Sequence, residues 1–85
     1  MQNLTYTIKD EIGIHARPAG NIVKLLKDTK SNVTIECKGK SVDAKKIFGL
    51  LSLAAKKNDE IKIKIDGEDE EKVKTELYKY LTENL

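Results

Sequence analysis

Leu4, Tyr6 and Ile8 alternate with Thr5, Thr7 and Lys9, the period-two pattern of a strand with one buried face. Val33, Ile35 and Cys37 form a second such run, and Ile61, Ile63 and Ile65 alternate with Lys62 and Lys64 in another. The stretch "CKGKSV" offers Gly39 as the turn residue of a hairpin that leads to Val42 in a short third strand. Polar partners on every strand predict a sheet covered on one side only, which antiparallel sheets allow and parallel sheets rarely do.

Helices must supply that cover. From Ala16 to Lys27, the residues Ala19, Ile22, Val23 and Leu26 recur at helix spacing, with Pro18 in the first turn, where a missing N–H costs nothing. A last helix follows Asp66-Gly67, opens on the acids Glu68 to Glu71, and buries Val73, Leu77 and Leu81. Between them, "KKIFGLLSLAA" carries apolar side chains around an arc of roughly 220°, about twice the stripe that faces a core. Part of that arc is expected to lie exposed: with Leu50, Leu53 and Ala54 inward, Ile47, Phe48 and Leu51 occupy the outer flank. The element order is βαββαβα. It predicts an α+β open-faced sandwich, a four-stranded antiparallel sheet covered on one side by three helices.

With 85 residues, the chain has room for one domain, spanning 1–85. Apolar residues at 39% and charged residues at 35% supply both a core and a solvated surface. The net charge of +2, spread over interleaved lysines and acids, lacks the strong field of a nucleic-acid binder. A single cysteine, Cys37, excludes an internal disulfide and points to a reducing compartment; with no apolar leader or spanning run, the expected location is the cytoplasm. One histidine and one distant cysteine do not make a zinc site, so neither metal nor other cofactor is expected.

The lone histidine stands in "GIHARPAG", where the first helix begins. There the unpaired backbone N–H groups of Ala16 and Arg17 are free to bond an anion beside the His15 ring, and the Arg17 guanidinium can fork onto phosphate oxygens. An anion nest around a nucleophile suits phosphoryl transfer. The plainer alternative is that Arg17 merely packs its stem on the surface and Pro18 merely starts a helix. A hydrolytic triad is weaker, because nothing marks a serine that reaches His15. Cys37 reads as a small core residue, and "DGEDEEK" as a solvated helix start without the ligand alternation of a calcium loop.

"GIHARPAG", followed by "KKIFGLLSLAA", an isoleucine-alternating strand and a helix with an acidic start, resembles the HPr family of histidine-containing phosphocarriers of the bacterial sugar phosphotransferase system. The resemblance spans essentially the whole chain. It implies that His15 accepts a phosphoryl group on Nδ1 from enzyme I, itself charged by phosphoenolpyruvate, and donates it to IIA domains of sugar permeases. Such a protein is a carrier, expected to be monomeric, and not an enzyme in its own right. Arg17 becomes the charge partner, the Ala16 and Arg17 N–H groups the helix-end donors, and Ile47, Phe48 and Leu51 the docking patch. Lys24, Lys27, Lys45 and Lys46 are candidates for a basic rim that steers acidic partners, and Gly20 for a point of close approach.

One position departs from the family. Where many Gram-positive members carry a regulatory serine before the Ile-x-Gly segment, this chain has Lys46, which has no hydroxyl to phosphorylate. The alternatives are a carrier of the nitrogen-related branch, which shares His15 and Arg17, and a small RNA-binding α+β domain, for which the chain lacks an aromatic ladder and a concentrated basic patch.

Overall fold

The alternating runs become neighbours in one sheet. The computed structural model describes Met1–Leu85 and contains β1 (Gln2–Thr7), α1 (Ala16–Leu26), β2 (Asn32–Cys37), β3 (Lys40–Asp43), α2 (Ile47–Ser52), β4 (Glu60–Asp66) and α3 (Glu70–Asn84). The strand order is β1-β4-β2-β3, with every pair antiparallel. Strand β4 is central: Ile63 stands opposite Leu4 on one side and Ile35 on the other, while Ile61 faces Tyr6 and Ile65 faces Val33. All three isoleucines are buried beneath the helices, and Lys62 and Lys64 point to the open face. The expected one-sided βαββαβα sandwich is therefore the observed fold.

The β2–β3 hairpin follows from two residues. Cys37 pairs with Lys40, leaving only Lys38 and Gly39 in the turn, both in the left-handed region at φ 53° and 82°. A two-residue turn with both φ values positive matches the right-handed twist of the strands it joins. Cys37 itself is core, and burial pushes its thiol pKa up. Helix α3 buries Val73, Leu77 and Leu81, and Tyr78 meets Tyr6 edge-on with ring centroids 6.5 Å apart.

The middle helix is shorter than its apolar run. It ends at Ser52; Leu50 and Leu53 are buried as expected, but Ala54 is exposed with φ 51° and Ala55 takes the core position instead. The left-handed residue turns the chain out of the helix, so the inward set is Leu50, Leu53 and Ala55.

A polar latch joins the start of α3 to the segment entering β2. Asp69 occupies the N-cap of α3, yet its carboxylate accepts from the Lys30 N–H at 2.9 Å and from the hydroxyl of buried Ser31. Gly67 lies so close that a Cβ there falls 2.5 Å from Ser31 Cα. Glu70 reaches back to accept from the Gly67 N–H at 3.2 Å and pairs with the Met1 ammonium at 2.8 Å. The Ser31 hydroxyl, and then the Lys30 N–H, hold the Asp69 carboxyl below its ordinary pKa of 3.8. A depressed carboxylate stabilises the fold fully above its unfolded pKa, and that contribution is lost as pH falls through the lower folded value. Asp69→Asn should therefore be less stable than the parent toward urea at pH 7, with the gap closing as the solution is acidified below pH 3.8. A gap that stays constant down to full protonation would remove the charge from the latch.

Candidate functional site

Backbone contacts hold the segment between β1 and α1 from three sides. Ile8 donates to Asp59 O at 2.9 Å and accepts from the Asn58 N–H at 2.8 Å, after which Lys9 and Asp10 both donate to the Leu85 main-chain oxygen at 2.6 and 2.9 Å. Asp10 Oδ2 then accepts from the Gly13 N–H at 3.2 Å. Gly13 has φ +78°, and a Cβ there falls 2.2 Å from the Ala55 carbonyl oxygen and 2.6 Å from Lys56 Cα. No side chain fits. The next residue, Ile14, is buried and donates its N–H to that same Ala55 oxygen at 2.9 Å.

His15 follows as the N-cap of α1, in extended backbone at φ −118° and ψ −171°. Its carbonyl accepts from the Ala19 N–H at 3.0 Å, but no side chain caps the helix, and the Ala16 and Arg17 N–H groups donate to nothing in the fold. Pro18 has no N–H to satisfy. Two unpaired donors thus stand beside a half-buried imidazole, at the end of the helix that carries partial positive charge. Arg17 is exposed and enters no ion pair.

His15, Arg17 and Pro18 line a shallow open depression together with Asp10, Asn21, Tyr80 and Asn84. Sequence reasoning placed His15 and Arg17 at the site, read Pro18 only as the start of the helix, and missed the others. Tyr80 arrives from α3 and accepts a hydrogen bond from Asn21 Nδ2 at 3.2 Å, a contact between residues with no local spacing to announce it.

On the neighbouring helix, Phe48 is 82% exposed, whereas Ile47 and Leu51 are half-buried against the core. The apolar flank is therefore one projecting ring with two partly covered supports. Gly20 sits beneath it, with Ile47 Cδ1 3.8 Å from where a Cβ would stand. Lys24, Lys27 and Lys46 are exposed, but Lys45 Nζ donates to Thr29 O at 3.0 Å, so the rim has three free ammonium groups and one tied to the fold. Ile12, 64% exposed in the loop before Gly13, is an apolar surface residue that sequence reasoning passed over. Its one signal was a place outside the alternation of β1.

The open-faced sandwich thus seats its single histidine beside unpaired helix-end donors and an unpaired guanidinium, an arrangement chemically able to hold an anion next to the imidazole. Comparison with known proteins agrees. The family model described as the HPr component phosphorylation site of the phosphotransferase system matches residues 3–83. A phosphocarrier protein HPr from Xylella fastidiosa is 41% identical over 64 residues, covering 75% of this chain and 72% of the relative. The crystal structure of an HPr from Thermoanaerobacter tengcongensis superposes with a TM-score of 0.90 at 33% identity, covering 96% of this chain and 92% of the other. That of HPr from Bacillus anthracis gives 0.87 at 31% identity, with 94% and 95% covered. The chain belongs to the HPr family of phosphocarriers.

The backbone clamp of Gly13 and Ile14 on the Ala55 carbonyl is testable. Gly13→Ala brings both a strained φ and a backbone overlap, and should cost more than about 1 kcal/mol of stability in urea denaturation. The resonances of His15 and Ala55 should move in NMR spectra of the variant, and unmoved spectra with full stability would mean the two loops are not clamped.

Proposed function

We propose that this protein accepts a phosphoryl group on His15 from a phosphoenolpyruvate-charged enzyme I and passes it to IIA domains of sugar permeases in the cytoplasm. The observation that carries this reading is the position of His15 as N-cap, with the Ala16 and Arg17 N–H groups unpaired and the Arg17 guanidinium uncommitted beside it. In the accepting step the Nδ1 lone pair of a neutral ring attacks phosphorus. The N–P bond forms as the bond to the donor breaks, and the donor keeps that electron pair. The Ala16 and Arg17 donors and the guanidinium offset negative charge on the phosphoryl oxygens before and after transfer. No water-activating base is required, because the group is handed on rather than hydrolysed.

Docking falls to Phe48, Ile47 and Leu51 on α2 and to Gly20 on α1, with Lys24 and Lys27 steering acidic partners. Other structural neighbours include Crh, described as the Bacillus subtilis catabolite repression HPr, and an HPr dimer from Thermoanaerobacter tengcongensis. A carrier role is favoured over serine-switched regulation because Lys46 offers no hydroxyl at the N-cap of α2. The carrier works as a monomer in this reading, which sedimentation at working concentration tests.

Incubation with phosphoenolpyruvate and an enzyme I should give an acid-labile, alkali-stable adduct, absent from a folded His15→Ala variant. Labelling of that variant would sink the assignment. Phe48→Ala should weaken enzyme I binding by about 1–2 kcal/mol and leave the melting temperature nearly unchanged, since the ring is 82% exposed. Normal affinity with a large loss of stability would put the ring to structural use. An HPr kinase with ATP should leave the parent unmodified and should phosphorylate Lys46→Ser, with mass spectrometry reading the site; phosphate on Ser41 or Ser52 of the parent would overturn this.

A further inference from the structure

We infer that Asn21 and Tyr80 form a neutral acceptor pair that positions the Arg17 guanidinium for the phosphoryl group on His15, an assignment that rests on the carrier reading above. Arg17 and Asn21 are four residues apart on α1, so their side chains rise from the same helix face. Tyr80 crosses from α3 to the same place, its hydroxyl oxygen accepting from Asn21 Nδ2 at 3.2 Å. All three line one depression with His15.

The inventory of donors and acceptors assigns the roles. A guanidinium has five N–H donors and no acceptor, and a fork onto two phosphoryl oxygens uses two of them. The remaining N–H groups need acceptors within the depression. Asn21 Oδ1 accepts no hydrogen bond in the fold, and the Tyr80 oxygen has a second lone pair to offer. Asp10 is a poorer holder. Its Oδ2 already accepts from the Gly13 N–H, and its charge repels the group that Arg17 serves. Neutral acceptors can orient the cation without cancelling the charge it brings to the phosphoryl group.

The pair is built to stay where it is. The last turn of α3 is anchored by the Leu85 main-chain oxygen, which accepts from the Lys9 and Asp10 N–H groups on the loop that leads to His15. Tyr80 is half-buried against the core cluster. Its hydroxyl therefore ties the far end of the chain to the helix that starts at the histidine. Asn21 and Tyr80 are positioning residues in this scheme, acting through Arg17 rather than on phosphorus.

A double-mutant cycle tests the assignment. The rate constant for phosphoryl transfer from enzyme I is measured on the parent, Tyr80→Phe, Arg17→Ala and the double variant, with thermal melting to confirm that each is folded. Tyr80→Phe should slow transfer by about threefold to tenfold in the parent, the scale of one lost hydrogen bond, and have no further effect once Arg17 is alanine. Asn21→Ala should behave in the same way, which guards against a packing defect specific to Tyr80. In NMR spectra of the phosphorylated protein, the Arg17 Nε resonance should shift between parent and Tyr80→Phe. An equal loss from Tyr80→Phe in both Arg17 backgrounds, or no loss in either, overturns the positioning role while leaving His15 as the acceptor. A parent that takes no label from enzyme I overturns the carrier reading itself, and the positioning role with it.

Discussion

The Ala55 carbonyl oxygen accepts the Ile14 N–H at 2.9 Å and fills the space a side chain on Gly13 would need. Two loops meet there backbone to backbone, and the rest of the working surface depends on that approach. Ala54 turns left-handed out of α2 and delivers Ala55 to the core; Gly13 accepts the contact because it has no Cβ; His15 leaves the junction in extended backbone and starts α1. The imidazole and the apolar flank of α2 are thereby fixed to the two sides of one contact. A shift of either loop moves the acceptor relative to the surface proposed to receive its partners.

The two long helices treat their positive ends in opposite ways. Helix α3 has Glu70 and Glu71 in its first turn, and Asp69 and Glu70 serve neighbouring N–H groups, so the surrounding chain answers that end with its own carboxylates. Helix α1 has no acid in its first turn and carries Arg17 there, an arrangement that disfavours an isolated helix. The same unfavourable charge becomes favourable when a phosphoryl group arrives. The fold thus leaves one helix start open, where the proposed phosphoryl group would sit, and surrounds the other with its own carboxylates.

How far the sequence revealed these features depended on whether the physics is local. The strands were legible because alternation such as Ile61, Ile63 and Ile65 is imposed by the pleat itself, and the hairpin because Gly39 suits a two-residue turn. His15 and Arg17 were legible because a helix start is a local event with local chemistry. The end of α2 was not: "LSLAA" contains no glycine or proline to stop a helix, and only the tertiary contact with Gly13 shows why the chain turns at Ala54. Nor was the α3 wall of the depression, since Asn21 and Tyr80 lie far apart in the chain and meet only after α1 and α3 have packed side by side. Lys45 read as a free surface charge until its contact with the Thr29 carbonyl was seen.

The order β1-β4-β2-β3 makes the two ends of the chain into partners: Gln2 pairs with Ile65, and Leu85 answers Lys9 and Asp10. Contacts that span most of the chain return nothing until a large loop has closed, and the entropy of that closure slows folding. The histidine segment lies inside this loop. It gains its supports from Asp59, Ala55 and Leu85 only when late-synthesised residues have docked, so a nascent chain on the ribosome contains the histidine motif long before it has a seat for it. The seat of the histidine thus arrives with the last turn of α3, and a chain truncated before that turn keeps the motif but loses the framework around it.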